Sequence, residues 1–359
     1  MLKDLLYEKA GLQWADRVII YDEDGLLARA GAFADGKHTV QWIKSMEELR
    51  YIYERDYRSS DAHAVLIIPS DNINIPYDIA RRFTVTRLGL AAVFPQLDTP
   101  TLKGARNIDL DYLSVAVQSL GGHRLNANQT KAFYTSDMFE QTTVDTYSAA
   151  AEREIQTLIA SCQTYRDWLP VIDLLSKLML LRDKGFTVDG FDNTYNAVDT
   201  AFRAWTSVRY ASLATTADMN QPVMLHHIPD YVRRVSRKPA VVVIDGMSFV
   251  DWQLIREYLA DTPWTINTTA AFTFLPSVTS IARQSLFSGA VPAQNAEPFS
   301  LAKEEKQWRS YWTEHGLRED EVYFGKTDTP DMPDKVKVAG IVVNFIDDLM
   351  HRQLQGTHG

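Results

Sequence analysis

An uninterrupted apolar run, Val241 to Ile244, ends abruptly in Asp245-Gly246. A carboxylate at the end of a buried strand projects from a sheet edge where ligands collect, and the glycine permits a tight turn or a close backbone approach. The same Asp would equally cap the helix that follows. A second stretch, Leu275 to Gly289, passes through Pro276 into a helix whose first turn presents Ser277, Thr279 and Ser280. Hydroxyls there lie beside free N–H groups and the positive end of the helix dipole, a setting that favours phosphate and an alkoxide, although a plain Ser/Thr cap looks the same. In a third stretch, Ile341 to His351, Asp347 and His351 share one helix face within reach of a common ion. Oxygen with imidazole suits zinc or manganese better than magnesium alone; an exposed surface pair is the plainer alternative.

Each stretch needs a strand end to hold it. KPAVVVIDGMSF, TINTTAAFTFLPS, DEVYFGK and VAGIVVNFIDD read as strands or strand-plus-turn, with helices over 249–260 and 279–288 between them. The alternation predicts a mainly parallel sheet with helices on both faces, and the apolar run Val241–Ile244 predicts a central strand in it. Near the N-terminus, RVIIY (17–21) and AVLII (64–68) read as buried strands, with a helix from Ser45 to Arg55 between them and Ser45 as its N-cap. That order predicts a small parallel α/β domain. The intervening chain repeats apolar residues at three- and four-residue spacing and stops at Gly185, as helices do. The expected class is therefore α/β in three parts: an N-terminal α/β domain over 1–105, a mostly helical region over 106–236, and a C-terminal α/β core over 237–359.

Bulk properties narrow the function. With 359 residues, 45% of them hydrophobic, the chain can build cores in more than one domain. A net charge of -9 gives no support to nucleic-acid binding by charge alone, and only Arg233, Arg234, Arg237 and Lys238 form an obvious basic cluster. A single cysteine, Cys162, excludes an internal disulfide framework and a cysteine zinc site. No window reaches the length of a membrane span, so a soluble cytoplasmic protein is expected. The acidic triplet Asp22-Glu23-Asp24 lacks any glycine-rich phosphate loop and reads as a polar turn, with a magnesium site as the alternative.

Together and in this order, VVVIDGMSF, FLPSVTSIARQSLFSG and VVNFIDDLMH resemble the PglZ domain of BREX-type phage-defence systems, a branch of the alkaline phosphatase superfamily. The segment from Gln221 to Val232 is similar to the lead-in of that domain. The resemblance implies a metal-dependent phosphoric ester hydrolase, a phosphodiesterase or nuclease ahead of a phosphomonoesterase, with two divalent ions, zinc first and manganese or magnesium as options. It implies Asp245 and Thr279 on one ion, with Thr279 as nucleophile, and Asp347 and His351 on the other. Arg283 and Asn344 would contact the substrate phosphate, or serve as structural contacts; Asp348 would be a solvated carboxylate or one beside the ligands, and His226 and His227 would be surface or interdomain residues rather than ligands. Partners implied are other defence proteins, such as a DNA methyltransferase, and a nucleic-acid substrate. Superfamily sites hold more ligands than these, and only His358 remains before Gly359. The expectation is an incomplete, C-terminally truncated core that is inactive as it stands, with a degenerate family site as the alternative, and the rival reading of function is a non-catalytic scaffold of the defence complex.

Overall fold

A computed structural model describes residues 1–30, 36–69, 73–105, 108–259, 262, 264, 266–295, 297 and 299–356. It divides into two compact units, one built from 1–154, 181–189 and 255–264, the other from 155–180, 190–254 and 265–359.

The first unit is built on a parallel sheet of β1 (Arg17–Asp22), β2 (Thr39–Trp42), β3 (Ala64–Ile68) and β4 (Thr84–Leu88), in the order β2-β3-β1-β4. The two β-branched runs legible in the sequence are the two inner strands, and every residue of β3 is buried. Sequence reasoning missed β2 and β4 because both are edges. An edge strand is covered on fewer sides and carries no continuous apolar run, as the mostly exposed TVTRL of β4 illustrates. Helix α1 (Leu26–Ala30) follows β1, and α2 (Met46–Ile52) begins at Ser45, whose hydroxyl accepts the Glu48 N–H at 3.2 Å. The acidic triplet is a set of caps and ion pairs. The Asp22 carboxylate accepts the N–H groups of Leu26 and Leu27 at 2.7 and 3.1 Å, Glu23 pairs with Arg87 at 2.8 Å, and Asp24 pairs with Lys103 at 2.9 Å. Burial pushes the Asp22 carboxyl above its ordinary range despite those bonds.

Long helices run over Trp168–Asp183 (α3) and Phe191–Leu213 (α4), in the region whose apolar spacing predicted helix. The second unit holds α4 whole. Its sheet has three parallel strands, β5 (Ala240–Ile244), β6 (Val322–Lys326) and β7 (Val338–Val343), in the order β5-β7-β6. Two expectations are corrected here. The central strand is β7, buried along almost its whole length, while β5 is an edge with Val242 53% exposed. An apolar run selects extended structure but does not say how many neighbours the strand has. In the stretch TINTTAAFTFLPS the described residues, 266–277, form no strand; Phe272 makes a single bridge to Met224, and Tyr210 holds the segment by donating to the Thr273 carbonyl at 2.9 Å and accepting the Leu275 N–H at 2.7 Å.

The core beside this sheet joins Phe287, Trp308, Trp312, Val322, Val338 and Val342. Gly340 on β7 is part of that packing, since a Cβ there would lie 2.9 Å from the Trp308 indole. The Trp308 Nε1–H meets its one polar requirement by donating to the Tyr323 carbonyl at 2.9 Å.

His226, expected at a surface or between domains, is buried in this unit. Its Nε2 lies 3.2 Å from the Ala214 carbonyl, its Nδ1 accepts no hydrogen bond, and the His227 ring lies tilted by 52° with its centroid 4.0 Å away. Burial, and secondarily His227, lower its pKa to about 4. A histidine held neutral in the fold but free to charge near its ordinary value once unfolded stabilises fully above that value, and the contribution is lost as pH falls through the folded pKa. Unfolding free energy should thus drop by about 3 kcal/mol between neutral pH and pH near 4 on account of this one ring. Urea titrations across that range test it: His226→Gln should flatten the slope, and an equal slope in both proteins would refute the assignment.

Candidate active site at the strand ends

The candidate residues gather beyond the carboxyl ends of β5 and β7, which are adjacent parallel strands. Parallel pairing carries past the last strand residues: the Asp245 N–H donates to the Val343 carbonyl at 3.0 Å. Asp245 and Asn344 therefore leave the sheet side by side. Gly246 turns with φ +76°, and a Cβ there would lie 3.1 Å from the Asp347 backbone nitrogen and 2.7 Å from the Met350 methyl. The absence of a side chain at Gly246 lets the start of the helix Phe345–Gly356 close against the turn after β5.

Thr279 is the first residue of the helix Thr279–Ser288. Val278 occupies the cap position without a side-chain bond, so the first-turn N–H groups are left to an outside acceptor. The Thr279 hydroxyl is half-buried and makes no hydrogen bond among the described residues. Of the neighbouring hydroxyls, Ser277 is exposed and Ser280 is buried.

Arg283, one turn further along the same helix, links that helix to both strand ends. It is 5% exposed, and its Nη1 donates to Asp245 Oδ2 at 3.0 Å and to Asn344 Oδ1 at 3.2 Å. Its other side meets Glu304, the first residue of the helix Glu304–Glu314, which is wholly buried. Arg283 Nη2 donates to Glu304 Oε2 at 2.7 Å, while Nε lies 2.7 Å from Oε1 without the alignment of a hydrogen bond. Lys326, at the end of β6, reaches the same Oε2 with its Nζ at 2.9 Å. All three strands of the sheet thus end on one ion network of two cations and two carboxylates.

Sequence reasoning missed Glu304 and Lys326. Glu304 and Glu305 are adjacent and chemically identical, yet Glu305 is an exposed partner of Arg309 one turn along its own helix. Lys326 had a usable signal in its position at the end of a strand of the same sheet.

Asp347 and His351 meet as their spacing predicted, with Oδ1 3.5 Å from Nε2; the carboxylate is 31% exposed and the imidazole 70%. Asp348 is exposed. His358 lies outside the described residues. Asp245, Asp347, His351 and the Thr279 hydroxyl fit a divalent ion in donor chemistry, oxygen with imidazole. In number they are sparse: among the described residues no three His, Cys, Asp or Glu side chains converge on one point.

The run of a strand-end Asp, an uncapped Ser/Thr helix start and an Asp/His helix, folded onto one sheet rim, coincides with a family match. Residues 223–358 match the model of the BREX system PglZ alkaline phosphatase-like domain. The chain carries a PglZ domain. The span covers both strand ends, Thr279, Arg283, Glu304 and the Asp347–His351 pair. The description of that model is of an alkaline phosphatase-like domain of the BREX system, and the likeness holds for residues 223–358. That superfamily usually employs divalent metals. No curated protein matches the chain. No helix of the described residues is long and apolar enough to cross a membrane.

Proposed function

We propose that the PglZ domain of this chain is a metal-dependent phosphoric ester hydrolase, acting on phosphodiesters, nucleic acid among them, ahead of monoesters. The observation that carries the reading is the meeting of Asp245 and Asn344 at adjacent strand ends with the helix that opens on Thr279, whose hydroxyl is unengaged. Thr279 Oγ1 is the nucleophile: it gives its proton to solvent as its bond to phosphorus forms, the ester oxygen departs with its electron pair and takes a proton from water, and a second water then breaks the threonine–phosphate ester, releasing the phosphate product and restoring the hydroxyl. The uncapped first turn of the helix supplies N–H groups to the phosphoryl oxygens. Asp245 and Thr279 would hold one divalent ion and Asp347 with His351 a second, zinc or manganese by donor type. Bound there, the ions supply charge neutralisation for the attacking and leaving oxygens. The setting is a cytoplasmic defence complex in which a DNA methyltransferase is a partner.

A second reading, a non-catalytic scaffold of that complex, is favoured by Arg283 already engaging Asp245 and by the large exposure of the His351 ring. Hydrolysis of bis(p-nitrophenyl) phosphate by the full-length protein separates the two. Turnover is expected with added zinc or manganese and should vanish on chelation. A protein that takes up no divalent ion and cleaves no diester is the scaffold.

A further inference from the structure

We propose that Glu304 is a positioning residue: through Arg283 it fixes the Asp245 carboxylate and the Asn344 amide in the orientation that the candidate metal and phosphate site requires. The proposal rests on the hydrolase reading above and adds to it a residue that no sequence motif marked.

A guanidinium donates in fixed directions within one plane, so whatever fixes the plane fixes its targets. Glu304 does this by accepting the Nη2 N–H with one oxygen at 2.7 Å and holding its other oxygen in ion-pair contact 2.7 Å from Nε. The remaining Nη1 is thereby aimed between Asp245 Oδ2 and Asn344 Oδ1. Neither partner has room to reorient, because Glu304 is 0% and Arg283 5% exposed. The second cation on Glu304, Lys326, keeps the carboxylate from turning wholly toward Arg283 and ties the end of β6 into the same arrangement. Arg283 is in this way turned away from solvent and toward the strand ends, and acts through Asp245 and Asn344. The second oxygen of Asp245 accepts the Gly246 N–H at 3.1 Å, so the carboxylate is held at both ends. An outer group that orients a metal-binding carboxylate sets the affinity of the site, because the ligand no longer has to be ordered when the ion arrives.

The test uses the full chain and Mn(II) alone as probe, with binding followed by electron paramagnetic resonance. Glu304→Asp withdraws the carboxylate by one methylene, and Arg283→Lys replaces the planar donor by a single ammonium. Both keep every charge in the network, so a general field effect predicts no change in either. Positioning predicts an Mn(II) dissociation constant raised about 10- to 100-fold in both, with a cooperative calorimetric transition retained. The second variant tests the same link should the first fail to fold. Unaltered Mn(II) affinity in either folded variant overturns the proposal and leaves the hydrolase reading intact. Absence of Mn(II) uptake by the parent chain overturns the hydrolase reading, and the proposal with it.

Discussion

Thr279→Ala should abolish phosphodiester cleavage, lowering kcat by at least about a thousandfold, while leaving the fold in place. The two halves of the expectation have separate causes. Thr279 stands at the first position of its helix, its hydroxyl bonds nothing among the described residues, and Val278 rather than Thr279 occupies the cap. Loss of the hydroxyl therefore strips no internal partner, and the change in stability should stay within about 0.5 kcal/mol, as for an unengaged position. Chemistry is affected differently, because a nucleophile that forms a covalent bond has no substitute in the alanine protein. Thr279→Ser keeps an oxygen in place and should retain measurable turnover. Steady-state kinetics on the nitrophenyl diester, run beside calorimetry, read both quantities. Equal turnover in the alanine variant would remove Thr279 from the mechanism.

The largest stability effect is expected from Glu304→Ala. Truncation leaves Arg283, 5% exposed, with the Asp245 carboxylate as its one ionic partner, and it opens a space at a site that is 0% exposed. Breaking a buried pair from one side costs about 3–5 kcal/mol because the surviving charge stays desolvated. Asp245 and Asn344 still solvate Arg283, which places the expectation near the lower end, about 3 kcal/mol. The loss should be local to the second unit. Amide hydrogen exchange followed by mass spectrometry should show peptides from Glu304–Glu314 and from β6 and β7 exchanging roughly a hundredfold faster, with peptides from β1 and β3 unaffected. The adjacent Glu305→Ala serves as contrast. That carboxylate is an exposed partner of Arg309, and such pairs contribute well under about 1 kcal/mol. Equal exchange in the Glu304 and Glu305 variants would mean that the buried network does not hold these elements together.

Much of this molecule was legible along the chain. β1 and β3 are short apolar runs rich in β-branched residues and followed by turn residues, and β7 closes on the run Ile341-Val342-Val343. The helix from Thr279 to Ser288 ends at Gly289 in the left-handed conformation that glycine favours. Asp347 and His351 met because their four-residue separation is a property of the helix itself. The Asp245-Gly246 turn was equally readable, since a strand end followed by glycine admits a close approach whatever the partner turns out to be.

What lies beyond local pattern needed the tertiary structure. The edge strands β2 and β4 carry little apolar signal, and the segment 265–277 has strand-like composition without a neighbour to pair with beyond Met224. Sequence alone determined the apolar strands and the helices with clear spacing, and it set out the order of an acid, a hydroxyl and an acid-imidazole pair, because those depend on contacts a few residues apart. Only the fold decided that β7 and not β5 is central, that His226 is buried, that Arg283 faces two strand ends, and that Glu304 rather than Glu305 holds it there. Those choices depend on pairings between residues far apart in the chain, such as Val242 with Ile341 and Arg283 with Glu304 and Asn344, which form only when the packed core brings distant segments together.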